Sequence, residues 1–215
     1  MNECDIGYVS RTLWARGIKR VVDVVLSMVG LLLAAPLLAA AVAAMKLTNP
    51  GPALFRQVRT GRCGREFRPY KLRTMAAGRR PDPEEIVPLD HPGVTRVGRL
   101  LRRFKIDELP QLLNVLQGEM ALSGPRPTLP EQTRVYDDFK RRRLLVRPGL
   151  TGLAQVNASA AISWEERIKY DVHYVKHHGL LMDLGILLKT VLVLLLGEAR
   201  FARPFDESPY SRARQ

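Results

Sequence analysis

The sequence predicts an α+β chain, mostly helical. The expected architecture is a small globular cytoplasmic domain, an N-terminal re-entrant membrane helix broken at Pro36, and interfacial amphipathic helices. Three observations carry that expectation. Val24–Met45 is an uncharged apolar run of 22 residues. Basic residues flank this run on both sides. The remainder mixes apolar positions at helical spacing with short β-like pieces punctuated by Gly and Pro. Boundaries follow at residues 1–46 for the membrane helix and its basic flank, 47–200 for the globular part with its interfacial helices, and 201–215 for a C-terminal tail.

The apolar run is long enough to cross a bilayer, since a helix rises about 1.5 Å per residue and the hydrocarbon core is roughly 30 Å thick. Its flanks argue against crossing. Arg11, Arg16, Lys19 and Arg20 precede it, and Lys46, Arg56, Arg59, Arg62 and Arg65 follow. Cytoplasmic flanks carry the excess of Lys and Arg, so both ends are expected on one side. Pro36 removes a helical hydrogen bond near the middle and favours a kink there, which suits a helix that enters and leaves by the same leaflet. A second apolar stretch, Leu180–Leu196, contains Asp183 and Lys189; it reads as a helix lying in the interface or packed on the domain.

Between these stretches, residues 46–75 read as short strands and turns, and 76–95 as a Pro-rich surface loop. Val97, Leu100, Leu101 and Phe104 recur at helical spacing. After a break at Asp107–Pro110, Leu112, Leu113, Val115 and Leu116 resume as a helix that Gly118 ends. Glu131–Leu145 and Trp164–His177 are expected as further helices. The chain has 215 residues, 46% of them hydrophobic, and two cysteines. That composition excludes a disordered chain and a disulfide scaffold, and it fits a reducing compartment.

With 34 Lys and Arg against 21 Asp and Glu, the net charge is +13. Basic residues concentrate at 56–80, 96–105 and 140–147. A surface lying on anionic lipid accounts for most of them, at about 1 kcal/mol per basic residue. It does not account for Gly124-Pro125-Arg126-Pro127 or Arg147-Pro148-Gly149, where Gly and Pro fix the backbone beside an arginine. Those pieces read as guanidinium groups presented rigidly to phosphate. The four histidines show no metal-ligand company, and no nucleic-acid motif is present.

The chemically unusual piece is Lys105-Ile106-Asp107-Glu108-Leu109-Pro110-Gln111. Two adjacent carboxylates follow a run of arginines and open a helix. Asp107 suits an N-cap. The same geometry also suits chemistry: a carboxylate kept ionised among cations can attack phosphorus, and either acid can ligate Mg²⁺.

Taken in order, a set of stretches resembles one family, the bacterial sugar transferases, in the minimal form of the monotopic polyprenyl-phosphate phosphoglycosyl transferases. The stretches are Lys19-Arg20…Asp23…Pro36, Gly51-Pro52…Phe55…Gln57…Arg59…Gly61, and Tyr70-Lys71-Leu72-Arg73-Thr74-Met75. They continue with Asp107-Glu108-Leu109-Pro110-Gln111-Leu112…Asn114-Val115, Gly124-Pro125-Arg126-Pro127, and Arg147-Pro148-Gly149…Thr151-Gly152…Ala154-Gln155-Val156-Asn157. The resemblance covers about Lys19 to Leu196.

It implies transfer of a sugar-1-phosphate from a UDP-sugar to undecaprenyl phosphate, with release of UMP, through a phosphosugar-aspartyl intermediate and with Mg²⁺. This would be the first membrane step of a bacterial glycoconjugate pathway, at the cytoplasmic face of the inner membrane. Asp107 matches the nucleophile and Glu108 its partner, with Mg²⁺ beside both. Arg126 matches a phosphate-binding position; Lys71, Arg73, Arg102 and Arg147 are further candidates for that work, and Glu131 for holding the site or the nucleotide. Lys19 and Arg20 match the place where the lipid phosphate arrives, and Pro36 the break in the helix. Ala158 and Ser159 stand where the family commonly has Gly-Arg, which bears on sugar preference. Ala161-Ile162-Ser163-Trp164 resembles members that use N-acetylated amino sugars. Further partners under this reading are downstream glycosyltransferases or a second copy. The rival reading is a membrane-anchored basic binding or scaffold protein without catalysis.

Overall fold

The computed structural model describes residues 8–76, 88–158 and 162–211. Arg79, Arg80, Ser159 and Ala161 fall outside that range, as does most of the expected Pro-rich loop. Eight α-helices dominate the described residues, with six strands of two or three residues each.

Helix α1 (Lys19–Thr48) is the one helix among the described residues long and apolar enough to cross a membrane. Helical structure continues through Pro36, so the expected break is not an interruption of the helix. Neighbouring turns retain their own hydrogen bonds, and proline deletes only one donor. One stripe of α1 packs on the rest of the molecule along nearly its whole length. Near its start, Arg20 donates to Val115 O and Leu116 O, and Asp23 Oδ1 accepts from Leu122 N. Midway, Gly30 approaches the side chain of Leu112. Near its end, Ala41 and Met45 are buried with Leu72 and Leu101. The opposite stripe, with Val25, Leu32 and Leu33, is exposed and apolar.

Two antiparallel strand pairs follow. β1 (Leu54–Phe55) pairs with β4 (Lys71–Leu72), and β2 (Arg59–Thr60) with β3 (Glu66–Phe67). Because side chains alternate along a strand, Leu72 enters the apolar cluster under α1 while Lys71 faces the other way. α2 (Arg96–Arg103) begins at Thr95, whose side chain accepts from Gly98 N. Gly98 is obligatory, since a Cβ there would stand 2.0 Å from Thr74 O. A 3₁₀ turn, Ile106–Gln111, fills the expected break and leads into α3 (Leu112–Gln117), which ends at Gly118 with φ +84°.

β5 (Ala121–Ser123) and β6 (Gly149–Thr151) form a parallel pair that the sequence did not announce. The Gly-Pro-Arg-Pro and Arg-Pro-Gly motifs meet here as one unit: Gly149 N donates to Pro125 O, and Gly124 N to Thr151 O. A Cβ on Gly149 would lie 2.2 Å from Gly124 N and 2.3 Å from Thr151 O. These neighbours are backbone and cannot move independently. Gly149→Ala is therefore expected to cost at least the upper end of the roughly 1–3 kcal/mol range for overpacking. The check is a thermal melt, in which each kcal/mol lowers the midpoint by about 2–4 °C for a chain of this size.

The expected helix Glu131–Leu145 is three pieces: α4 (Pro130–Arg134), α5 (Asp138–Arg141) and a 3₁₀ turn, Arg142–Leu145. Asp137 interrupts it by capping α5, accepting from Lys140 N at 2.7 Å. α6 (Leu153–Asn157), α7 (Trp164–His177) and α8 (Leu180–Leu196) build the main apolar cluster around Tyr170, Tyr174, Leu153 and Ile186. α8 packs on the domain by one face. Asp183, Ile186 and Val193 are buried, while Leu181, Leu188 and Leu195 remain exposed. Phe205 is also buried in this cluster, edge-on to Tyr170, so the first part of the C-terminal segment packs on the domain. Cys63 sits in a left-handed turn and is not a free thiol.

Candidate active site

The acidic pair lies in the first turn of the 3₁₀ segment. The N-cap is Lys105, in left-handed conformation at φ 56°, so Asp107 is not the cap. A non-glycine residue in that region stores strain, and strain of this kind gathers where a site must be held in one geometry. The turn aims both carboxylates at β4. Lys71 Nζ stands 3.1 Å from Asp107 Oδ2 and 3.0 Å from Glu108 Oε1. Arg126 Nη2, carried by the rigid Gly-Pro-Arg-Pro turn, lies 2.9 Å from the same Glu108 oxygen.

The two acids differ in how far they are satisfied. Burial alone would raise Glu108, but Arg126 and Lys71 outweigh it and hold the carboxyl well below the usual range. Glu108 is thus a fixed anion. Asp107 is 1% exposed, and its Oδ1 is buried with no hydrogen-bond partner. A bare carboxylate oxygen in a protein interior is costly. It is also what attack on phosphorus or coordination of a cation requires. Among the described residues no group of three or more His, Cys, Asp and Glu side chains is arranged for a metal. Two adjacent carboxylates still fit Mg²⁺, which binds through one or two carboxylates and takes its remaining ligands from phosphates and water.

A cleft opens beside the pair, lined by Gln57, Arg59, Lys71, Glu108, Gln111 and Arg126. Burial, then the neighbouring Arg126, lowers the Arg59 pKa, with Glu108 and Glu131 opposing. Glu131 is therefore within electrostatic reach of the cleft, though it is exposed and makes no contact with the acids. Arg102 donates to Thr74 Oγ1 at 2.8 Å and feels both Asp107 and Glu108. Lys71, Arg102, Arg126 and the two acids are thus brought together as the sequence suggested.

Other expected site residues go elsewhere. Arg73 donates to Asn49 O and Pro50 O, tying down the exit of α1 rather than lining the cleft. Lys19 is bound to Ser123 Oγ and to Asp183, which also accepts from Trp14 and Tyr174. Arg20 closes the C-terminus of α3, and Arg147 Nε donates to Gly118 O beside it. Pro36 lies within α1, remote in sequence from every cleft residue.

The sequence reading missed several supports. Arg143 is 2% exposed; it pairs with Asp171 and donates to Tyr136 OH and Arg126 O, so it holds the backbone that carries Arg126. Asn114, fully buried, accepts from Tyr70 N and donates to Glu119 and Arg68 O, fixing the strand that carries Lys71. Arg143 sat unmarked in a basic run, and no periodicity distinguished it from its exposed neighbours. Arg59 was named in the basic flank and in a motif, without a role in the site.

The depressed Glu108 pKa has a stability consequence. Its stabilising contribution is present above the unfolded pKa, about 4.3, and is lost as pH falls through the lower folded value. Urea unfolding should therefore show Glu108→Gln less stable than the parent at pH 7, with the gap narrowing on acidification.

Comparison with known proteins identifies the family. A family model described as bacterial sugar transferase matches residues 14–197. A sugar transferase of Bacillus subtilis, EpsL, is 44% identical over 157 residues, covering 73% of this chain and 77% of that protein. A UDP-glucose:undecaprenyl-phosphate glucose-1-phosphate transferase of Caulobacter vibrioides is 45% identical over 191 residues, 82% of this chain and 69% of its own length. A UDP-N-acetylgalactosamine-undecaprenyl-phosphate N-acetylgalactosaminephosphotransferase of Aeromonas hydrophila is 40% identical over 189 residues; this chain spans 44% of it. With the match running from before α1 to the end of α8, the chain belongs to the bacterial sugar transferases and is a phosphoglycosyl transferase.

Proposed function

We propose that this enzyme moves a sugar-1-phosphate from a UDP-sugar to undecaprenyl phosphate, releasing UMP, through a covalent intermediate on Asp107. The observation that carries the proposal is the unpartnered, buried Oδ1 of Asp107 beside Glu108, an anion already paired with Lys71 and Arg126. In the first step an Asp107 oxygen attacks the phosphorus next to the sugar. The bond from that phosphorus to the oxygen shared with the uridine phosphate breaks, and UMP leaves with that oxygen. In the second step an oxygen of undecaprenyl phosphate attacks the same phosphorus and the bond to Asp107 breaks, regenerating the carboxylate and giving the undecaprenyl-diphosphate-sugar.

Phosphoryl transfer asks mainly for positioning and charge neutralisation. Lys71 lies between the two acids, with its ammonium against Asp107 Oδ2 and Glu108 Oε1. Arg126 and Arg59 line the cleft where the phosphates of the donor are expected, and Glu108 keeps Arg126 oriented. Mg²⁺ held by Asp107 and Glu108 would neutralise phosphate charge as it develops.

We further propose that α1 dips into one leaflet without crossing it, which places the site at the cytoplasmic face of the inner membrane. Support comes from its two ends, which both pack on the same domain: Arg20 and Asp23 at the start, Ala41 and Met45 at the end. Cysteines placed at the exposed positions Leu13 and Leu47 should both be labelled only from the cytoplasmic side; labelling of either from outside would establish a crossing. For the donor we propose an N-acetylated amino sugar, on the Ala161–Trp164 stretch and its resemblance.

The reaction is tested by UMP release from a panel of UDP-sugars with undecaprenyl phosphate and Mg²⁺. Release with one donor above the rest supports the reading and identifies the sugar. Silence across the panel from a folded protein would favour the non-catalytic scaffold.

A further inference from the structure

We propose that a second cavity, separate from the Asp107–Glu108 cleft, is a phosphate-binding site built by Arg20, Arg62 and Arg147. The cavity has a volume of about 930 Å³ and shares no lining residue with the cleft. This inference stands on its own geometry and does not depend on the reaction proposed above.

The three guanidinium groups are brought together by carbonyls. Arg20 donates to Val115 O and Leu116 O, and Arg147 Nε donates to Gly118 O, so both are held at the same helix end. Arg62 Nε donates to Leu145 O, two residues from Arg147. All three are partly buried. Each guanidinium has five N–H groups in a planar fork. Among the described residues, Arg62 and Arg147 each make one protein hydrogen bond, through Nε, leaving the outer edge of the fork for a ligand. Among the described residues, the only carboxylate lining the cavity is Asp23, which is already engaged by Leu122 N and Lys19. Lys19 in turn is paired with Asp183. Three arginines therefore face one occupied acid. Burial, then Arg20 and Arg62, lowers the Arg147 pKa, with Asp23 opposing, so cationic repulsion is felt there.

A cluster of this kind is stabilised by an anion, and forked donors match phosphate oxygens. Two sources share that chemistry, free phosphate and a lipid headgroup. The cavity also touches Val21, which is exposed and belongs to the apolar helix α1, so a headgroup at the membrane surface would lie at a matching depth.

The test is isothermal titration of the full-length chain in detergent micelles, with inorganic phosphate and separately with a short-chain phosphatidic acid. An Arg126→Gln background removes one cation of the reacting cleft and leaves Arg59 and Lys71 there, so the further loss on changing a cavity arginine is what reports this cavity. Binding is expected to persist in that background. Adding Arg62→Gln should weaken it roughly tenfold, the effect of losing one charged hydrogen bond, and Arg62→Lys should recover part of the loss. Asp23→Asn should act oppositely and tighten binding. A melting curve for each variant separates weakened binding from unfolding. Tighter binding of the lipid assigns the site to a headgroup, and equal affinity assigns it to free phosphate. The proposal is overturned if neither ligand binds the Arg126→Gln protein, or if Arg62→Gln leaves binding unchanged in a folded chain.

Discussion

Asp107→Asn is expected to lower UMP release by roughly 10⁴-fold or more, the scale of loss when a covalent nucleophile is removed. The stability change should stay within about 1 kcal/mol, because the substitution keeps shape and removes a buried charge that is only half satisfied. Asp107 has one oxygen near Lys71 and one with no partner, while Lys71 keeps Glu108 as its counter-ion after the change. UMP release and a melting curve on the same preparation check both halves. Appreciable turnover by the Asn protein would move the nucleophile elsewhere. A collapse in melting temperature would mean that Asp107 holds the fold rather than the chemistry. Glu108→Gln should behave differently. It takes away the anion that Lys71 and Arg126 share, so it should lose both stability at neutral pH and activity.

Local patterning made much of the fold legible. α7 and α8 have the expected bounds because each carries a continuous apolar period and a clear end: Ser163 caps α7, and Gly197 follows α8. The acidic pair was legible for a chemical reason, since two carboxylates among arginines have few purely structural uses. What stayed hidden depends on partners distant in sequence. The parallel β5–β6 pair joins segments some 26 residues apart through backbone atoms, which leave no hydropathy signal. Gly124 and Gly149 were read as rigid holders of an arginine. In the structure they also let two backbones pass at a distance no Cβ tolerates.

The same limit explains the cations. The family resemblance matched Arg126 to a phosphate-binding position and offered Arg73 and Arg147 as further candidates for the same work. Only contacts separate them: Arg126 meets Glu108, Arg73 meets the carbonyls after α1, and Arg147 meets Gly118. A guanidinium that ties down the exit of α1 and one that faces Glu108 look alike until their acceptors are known. The membrane helix repeats the lesson, because hydropathy records what α1 exposes and says nothing of the stripe that packs on the domain from Arg20 to Met45.

Arg143→Met is expected to destabilise the protein by about 3–5 kcal/mol, the cost of leaving a buried charge without its partner. Asp171, 2% exposed, would be left unpaired, and Tyr136 OH and Arg126 O would each lose a donor. At about 2–4 °C per kcal/mol for a chain of this length, the melting midpoint should fall by at least roughly 6 °C. Replacing both members together, Arg143→Met with Asp171→Leu, removes the stranded charge and should recover most of that loss. Activity should not recover with it. The carbonyl of Arg126 would still lack the bond that fixes the turn, so the guanidinium facing Glu108 would be held less firmly and donor phosphate would bind more weakly. A double variant that melts near the parent yet shows a raised KM for the UDP-sugar would identify Arg143 as a positioning residue acting through Arg126. Recovery of KM together with stability would reduce the buried pair to a strut between the Arg142–Leu145 turn and α7.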